Sequence, residues 1–241
     1  MRGGMAEFLL IHGAAHGAWC WRKVIPALEA LGHRARAIDL PGHGDDPLPY
    51  TDVTLERYRD AVLGALTGGE IVVGHSMGGY PITAAAEAAP EKIKGLVYLC
   101  AYTPWPGLSL SEMRMKAPYQ PLLQAIRMTE DRKGWTADPE MVPGLFYHDC
   151  TPEDVAFAME RLCVQATQPT SVPVEMSDHY ASVPRYYIRC TEDRTIPPEF
   201  QHTMTEGWPE SHVIDMQTSH SPFLSAPADL AAHLDRISKE L

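Results

Sequence analysis

The stretch "EIVVGHSMGGYPI", residues 70–82, decides the fold of this 241-residue chain. An apolar run typical of a buried strand ends at Gly74, and an alanine-rich segment typical of a helix follows Gly78. Together with Ser76 these glycines form the pattern G-x-S-x-G, in which a sharp strand-to-helix turn strains the serine backbone and exposes its hydroxyl. We therefore predict that Ser76 is a nucleophile at the carboxyl end of a sheet, where ligands of open α/β folds bind.

Short apolar runs alternate with helix-like segments along the chain. The strand-like runs are residues 7–11, 34–39, 70–74, 95–100, 185–190 and 211–216, and the helix-like segments are residues 18–31, 54–66, 78–89, 196–205 and 225–240. This alternation is typical of an α/β fold with a mainly parallel sheet, here of about six strands, and with helices on both of its faces.

The alternation stops between Thr103 and Val183, where prolines, methionines and aromatic residues accumulate. Because a structureless loop of about eighty residues does not fit a compact domain, we predict a helical insertion after the fourth strand that packs over the carboxyl edge of the sheet. The predicted organisation is a core of residues 1–102 and 184–241 and a helical cap of residues 103–183.

Composition excludes several classes of protein. The 20 Lys+Arg and 31 Asp+Glu residues give a formal net charge of -11, which repels nucleic acids and anionic membrane surfaces. The five cysteines form no C-x-x-C pair and cannot all pair within one chain, so we expect reduced thiols. The apolar run at residues 8–11 is too short for a signal peptide or a membrane span, so we expect a cytoplasmic location.

A serine nucleophile needs a base within hydrogen-bond reach and an acid that holds the base. His220 follows the last predicted strand on a short loop that returns to the same sheet edge, so it is our predicted base. Asp193 lies just beyond the penultimate strand and gives the chain order serine, acid, histidine of this turn motif. Glu192 and Asp215 remain alternative acids.

Two backbone amides are the predicted oxyanion hole for the developing negative charge. One is the N–H of Met77, directly after the nucleophile, and the other is that of Ala14 in the loop "IHGAAHGAW", where Gly13 allows close backbone approach. His16 in this loop either contacts the substrate or braces the loop by a hydrogen bond. The two histidines of "HGAAH" have no third ligand nearby, so we expect no metal and no other cofactor.

Several segments together resemble the α/β-hydrolase family, and more closely its branch of plant methylesterases, salicylate-binding esterases, hydroxynitrile lyases and bacterial esterases. They are "LLIHGAAHGAWCW", "ALEALGHRARAIDLPGHG", "VVGHSMGG", "YIRCTEDRTIPPEFQ" and "SHSPFLSAPADLA", which span residues 9–231. The resemblance implies an α/β-hydrolase fold. It also implies Ser76 as nucleophile, Asp193 as acid, His220 as base, and Ala14 and Met77 as oxyanion donors.

The resemblance favours ester hydrolysis over cyanohydrin cleavage. The lyase members carry a threonine after the first-strand histidine and a lysine directly after the catalytic histidine. This chain has Gly13 and Ser221 at those positions, so the groups that would bind a cyanohydrin and stabilise cyanide are missing. Another reaction of the same triad, by a lyase, C–C hydrolase or lactonase, and a non-catalytic small-molecule receptor remain alternatives.

The cap and the loops around the predicted site supply candidate substrate contacts. Methionines and aromatic residues in the cap, taken together, favour a small, uncharged, apolar or partly aromatic ester, although core packing explains many of them singly. The candidate substrate-binding residues are Gly13, His16, Trp105, Trp135, Tyr147 and Phe223. From the resemblance alone we also expect a homodimer.

Overall fold

The computed structural model describes residues 4–241, so residues 1–3 of the predicted core lie outside it. Nine strands lie in this part of the chain: β1 (Glu7–Ile11), β2 (Arg34–Ile38), β3 (Glu70–His75), β4 (Ile93–Leu99), β5 (Ile126–Met128), β6 (Gly134–Ala137), β7 (Gln165–Ala166), β8 (Arg185–Cys190) and β9 (Val213–Met216). Six of them coincide with the runs predicted from sequence, to within two residues at each end. The central strand β3 is buried along its whole length, as expected in a sheet covered on both faces, whereas the edge strand β2 carries two arginines and is only partly buried.

These six strands form one parallel sheet in the order β2-β1-β3-β4-β8-β9. The chain runs from β1 to β2 on one side and then returns to place β3 on the other side of β1. The loops that leave β1 and β3 therefore diverge at one point of the carboxyl edge. In open α/β sheets such a reversal opens a crevice in which ligands bind.

Helices cover both faces of the sheet. The α-helices in the described residues are α1 (Val24–Ala30), α2 (Leu55–Ala65), α3 (Gly79–Ala88), α4 (Leu110–Arg114), α5 (Pro121–Ala125), α6 (Val142–Phe146), α7 (Pro152–Met159), α8 (Gln168–Ser171), α9 (Asp178–Ser182), α10 (Pro198–Met204), α11 (Pro222–Ser225) and α12 (Pro227–Glu240). Side chains of β1 alternate between two hydrophobic cores, with Leu9 packing beside α2, α3 and α10 and Leu10 beside α1 and α12. Among residues 4–241, no helix has both the length and the apolar character that crossing a bilayer requires.

The predicted α/β-hydrolase fold, with its insertion after the fourth strand, is confirmed. The insertion is less purely helical than predicted, because β5, β6 and β7 form a small antiparallel sheet among its short helices. These strands are two to four residues long and show no sustained alternation of apolar and polar residues, so they carry too little periodicity to be recognised. The proposed limits of the cap, at residues 103 and 183, stay a prediction.

Candidate active site

Ser76 lies on the sharp turn between β3 and α3. Its φ of 53° is left-handed, which costs a non-glycine residue energy and holds the side chain out of the regular strand-to-helix path. The turn is tight enough to require small neighbours. A Cβ on Gly74 would lie 2.6 Å from the carbonyl oxygen of Gly78, and one on Gly78 would lie 2.8 Å from that of His12. The turn therefore requires glycine at both positions, because it leaves no room for a side chain at either.

Three side chains from distant parts of the sequence meet at this turn. The Nε2 atom of His220 lies 3.0 Å from the Oγ atom of Ser76, and its Nδ1 atom lies 2.7 Å from the Oδ2 atom of Asp193. A carboxylate only accepts hydrogen bonds, so Nδ1 carries the ring proton and Nε2 accepts from the serine hydroxyl. The imidazole is thus oriented as a base toward the hydroxyl of Ser76. Ser76 itself is buried, with 8% of its surface exposed.

The carboxylate of Asp193 is held by more than the histidine. Its Oδ1 atom accepts hydrogen bonds from the backbone N–H groups of Thr195 and Ile196, at 2.7 and 3.0 Å. Its Oδ2 atom also accepts one from the side-chain amide of Gln201, at 2.9 Å. These bonds fix the carboxylate plane and, through it, the orientation of the His220 ring.

The two alternative acids lie elsewhere. Glu192 is exposed and accepts a hydrogen bond from Gln217 at the surface. Asp215 is exposed on β9 and pairs with the guanidinium of Arg189 at 2.6 Å. Of the three acidic candidates, Asp193 is the one whose carboxylate contacts His220.

The predicted oxyanion donors lie on both sides of the crevice opened by the strand reversal. Ala14 follows β1 and Met77 follows Ser76, and all three line one cavity. Gly13 packs against the nucleophile turn, since a Cβ there would lie 2.7 Å from Nδ1 of His75 and 2.9 Å from Cβ of Ser76. The absence of a side chain at Gly13 lets the two loops approach each other.

His16 and Tyr147 contact each other beside this loop. The Nδ1 atom of His16 lies 2.8 Å from the carbonyl oxygen of Ala14, and its Nε2 atom lies 2.7 Å from the hydroxyl of Tyr147. Burial lowers the pKa of His16 to about 4, so the ring is neutral near pH 7. Nδ1–H then donates to Ala14 and Nε2 accepts from Tyr147, so both nitrogens are occupied within the protein.

A second brace reaches the same loop from the small antiparallel sheet. The side chain of Gln165, on β7, is fully buried and accepts a hydrogen bond from the N–H of Ala15 at 3.1 Å. Ala15 has a φ of 60°, so this contact holds a strained residue in the loop that follows β1 and carries Ala14, which we call the oxyanion loop. The same amide oxygen lies 3.0 Å from Nε2 of His43, which ties the insertion to the core.

The buried histidines around the serine stay uncharged. Burial lowers the pKa values of His12 and His75 well below their usual range. Three side chains, His75, Cys100 and His220, bring potential ligand atoms within 4.8 Å of one another. Both ring nitrogens of His220 already serve Ser76 and Asp193, so this arrangement suits proton transfer better than ion coordination.

A cavity of about 170 Å³ opens beside Ser76. Its lining residues are Ala14, Ser76, Met77, Tyr102, Leu110, Ser111, Arg114, Leu122, Leu123, Ile126, Met128, Trp135, Thr167, Thr170 and Ser171. Trp135, a predicted substrate contact, is one of them. Trp105 instead packs on Phe200, with ring centres 6.0 Å apart, and Phe223 packs on His75 at 4.8 Å.

Three side chains of this region were not singled out from the sequence. Gln201 and Gln165 are buried amides whose hydrogen bonds hold the acid and the oxyanion loop. Gln201 lies eight residues after Asp193 in "TEDRTIPPEFQ", so its proximity could have suggested a role. Arg114 lines the cavity from the insertion, where no local pattern marks it.

Comparison with known proteins identifies the family of this chain. Residues 8–233 match the sequence profile described as "Alpha/beta hydrolase family". Methylesterase 1 of Arabidopsis thaliana is 32% identical over 96% of this chain and 95% of its own length, and the pyrethroid hydrolase of Sphingobium wenxiniae is 32% identical over 94% and 85%. A solved pyrethroid hydrolase from Sphingobium faniae has a TM-score of 0.86 at 30% identity, with 98% of both chains covered. The chain therefore belongs to the alpha/beta hydrolase family and is an enzyme of the carboxylesterase type.

Proposed function

We propose that this protein hydrolyses small carboxylic esters through an acyl-enzyme intermediate, with Ser76 as nucleophile, His220 as base and Asp193 as acid. The observation that carries the proposal is the continuous hydrogen-bonded path from the Ser76 hydroxyl through His220 to Asp193, at 3.0 and 2.7 Å. Such a path makes a weakly nucleophilic alcohol reactive at neutral pH, because the imidazole accepts its proton as the bond to carbon forms.

The reaction follows from these positions. Oγ of Ser76 attacks the ester carbonyl while Nε2 of His220 takes the hydroxyl proton. The amides of Ala14 and Met77 stabilise the negative charge on the former carbonyl oxygen. His220 then gives its proton to the departing alcohol, and it later activates the water that releases the acid from Ser76. The carboxylate of Asp193 stabilises the imidazolium that forms in each half of the reaction.

The cavity wall supports a substrate with an apolar body. Leu122, Ile126 and Trp135 line it together with Ser76, and an aliphatic or aromatic group packs favourably against such side chains. The names of the relatives, a methylesterase and a pyrethroid hydrolase, are consistent with an ester substrate. The proposed reaction uses no cofactor. A cytoplasmic location and a homodimer stay predictions from the sequence.

The test compares p-nitrophenyl butyrate hydrolysis by the wild type and by Ser76→Ala. We expect kcat to fall by about 10⁴-fold or more in Ser76→Ala, with the thermal midpoint preserved. Ser225→Ala is the matched control, since its hydroxyl contacts only the backbone of Ser221 and does not line the cavity. A fluorophosphonate probe should label the wild type at Ser76.

A panel of further substrates separates the proposed ester hydrolysis from the alternative reactions. Lactones and mandelonitrile are assayed beside methyl and p-nitrophenyl esters. An undiminished rate of ester hydrolysis in Ser76→Ala would contradict the proposal, as would strong turnover of mandelonitrile without any ester cleavage.

A further inference from the structure

Arg114 is a cation on the cavity wall without an acceptor for its charge. It ends α4 and lines the same cavity as Ser76. Within residues 4–241 its guanidinium forms no hydrogen bond and no salt bridge, and its Nε atom is buried without a partner. A guanidinium donates in up to five directions and stays charged in proteins, so a buried N–H of this group without an acceptor is costly.

The surrounding protein supplies no carboxylate to offset this charge. No acidic residue lines the cavity within the described part of the chain. Glu112, two residues before Arg114, is committed to Ser109, whose backbone N–H and hydroxyl donate to it at 2.8 and 2.6 Å. Arg114 is the one basic residue that lines the cavity within the described part of the chain. Burial lowers the pKa of Arg114.

Tyr102 adds a second free donor to the same wall. It follows β4, and its backbone N–H donates to the carbonyl oxygen of Ser76 at 3.1 Å, so its position is tied to the nucleophile. Tyr102 is 6% exposed and lines the cavity, and its hydroxyl has no hydrogen-bond partner among the described residues. Burial raises the pKa of Tyr102, which keeps the hydroxyl protonated and able to donate.

We propose that Arg114 determines substrate specificity by binding a carboxylate that the ester carries at a second position, with the Tyr102 hydroxyl as an additional donor. The substrate class is then a monoester of a dicarboxylic acid, or a hydroxy acid that is acylated at its hydroxyl and keeps its free carboxylate, with an apolar spacer between its two ends. This inference rests on the proposed esterase function. It replaces the uncharged substrate expected from the sequence with one that has a single negative charge.

The chemistry of the pocket fits such a molecule. A guanidinium binds a carboxylate through two parallel N–H···O bonds, which are stronger than neutral hydrogen bonds and specify orientation. The remaining lining, with Leu122 and Trp135, contacts the spacer. Binding at Arg114 would therefore place the ester group by holding the opposite end of the molecule, which raises the fraction of encounters that reach Ser76 correctly oriented.

The test uses two matched series of substrates. The first contains the monomethyl esters of linear dicarboxylic acids from succinic to suberic acid, so that the spacer length is scanned. In the second, the free carboxylate of each is replaced by a carboxamide, which keeps the shape and removes the charge. We expect wild-type kcat/KM to favour the carboxylate over the amide by about 10- to 100-fold at the best spacer length.

Two substitutions of Arg114 and one control complete the design. Arg114→Gln should abolish the preference, mainly by raising KM for the carboxylate series, so that kcat/KM becomes similar for the carboxylate and the amide at each spacer length. Arg114→Lys should restore part of the preference, because it keeps the charge without the bidentate geometry. Arg57→Gln removes the same charge from an exposed position outside the cavity and should leave the preference unchanged.

The outcomes separate this inference from the proposed function. Equal wild-type kcat/KM for carboxylate and amide substrates at every spacer length would overturn the role of Arg114 while leaving the esterase proposal intact. A preference that survives in Arg114→Gln with an unchanged thermal midpoint would also overturn it. Failure to cleave any ester, together with no fluorophosphonate labelling of Ser76, would instead overturn the proposed function.

Discussion

The hydrogen bond between Tyr147 and His16 offers a sharp test of how the oxyanion loop is held. The Tyr147 hydroxyl lies 2.7 Å from Nε2 of His16, whose Nδ1 atom lies 2.8 Å from the carbonyl oxygen of Ala14. Tyr147→Phe removes one oxygen atom and leaves the ring, so the packing is preserved and no large cavity forms. The His16 ring, buried and neutral, is then left with an acceptor that no donor satisfies.

The size of the effect follows from this geometry. Leaving one buried acceptor unsatisfied costs about 1–3 kcal/mol in the free energy of unfolding. For a chain of this length, each kcal/mol lowers the thermal midpoint by roughly 2–4 °C. Complete loss of an oxyanion donor lowers kcat by about 10²–10³-fold. The Ala14 amide remains in Tyr147→Phe but loses part of its support, so we expect a smaller decrease in kcat, of about tenfold.

The measurements are kcat for p-nitrophenyl butyrate and the thermal midpoint, with Tyr187→Phe as the matched control. The Tyr187 hydroxyl is also buried and donates at 2.7 Å, but its acceptor is the carbonyl oxygen of Ala101, outside the oxyanion loop. We expect both variants to lose similar stability and only Tyr147→Phe to lose kcat. Equal kcat in both variants, or a Tyr147→Phe thermal midpoint identical to that of the wild type, would refute the reasoning.

Two further predictions concern folding stability. Gly79→Ala should destabilise the protein strongly, because a methyl group there would overlap the carbonyl oxygen of Tyr102. Gly64→Ala is the matched control, because its methyl group meets open space and should stabilise the protein by about 0.5–1 kcal/mol. Equal thermal midpoints of the two variants would contradict the packing described at Gly79. Acidification from pH 6.5 toward 4 should lower the free energy of unfolding in urea, because the pKa values of His16 and His75 are lowered in the folded state and the unfolded chain therefore binds more protons. His16 alone contributes about 3 kcal/mol to this loss, and stability that stays constant over this range would contradict it.

The local sequence predicted most of the fold. Strands and helices of the core follow from apolar runs and their spacing, which are properties of neighbouring residues. The turn at Ser76 follows equally locally, because Gly74 and Gly78 leave the space that the strained serine needs. The chain order of serine, acid and histidine narrowed the candidate catalytic partners of Ser76 to His220 as the base and a few acidic residues as the acid. The insertion was predicted less well, because its strands are too short to show an alternation of apolar and polar residues.

What the sequence determined by itself, therefore, is a mainly parallel sheet of about six strands and the position of Ser76 at its carboxyl edge. Only the tertiary structure decided that Asp193 and not Glu192 contacts His220, that Tyr147 donates to His16 from 131 residues away, and that Arg114 faces the cavity. The physical reason is the separation along the chain of the residues involved. Hydrophobic periodicity is set within one element, whereas these contacts depend on how a proline-rich insertion packs over a sheet edge, and no pattern of adjacent residues specifies that packing.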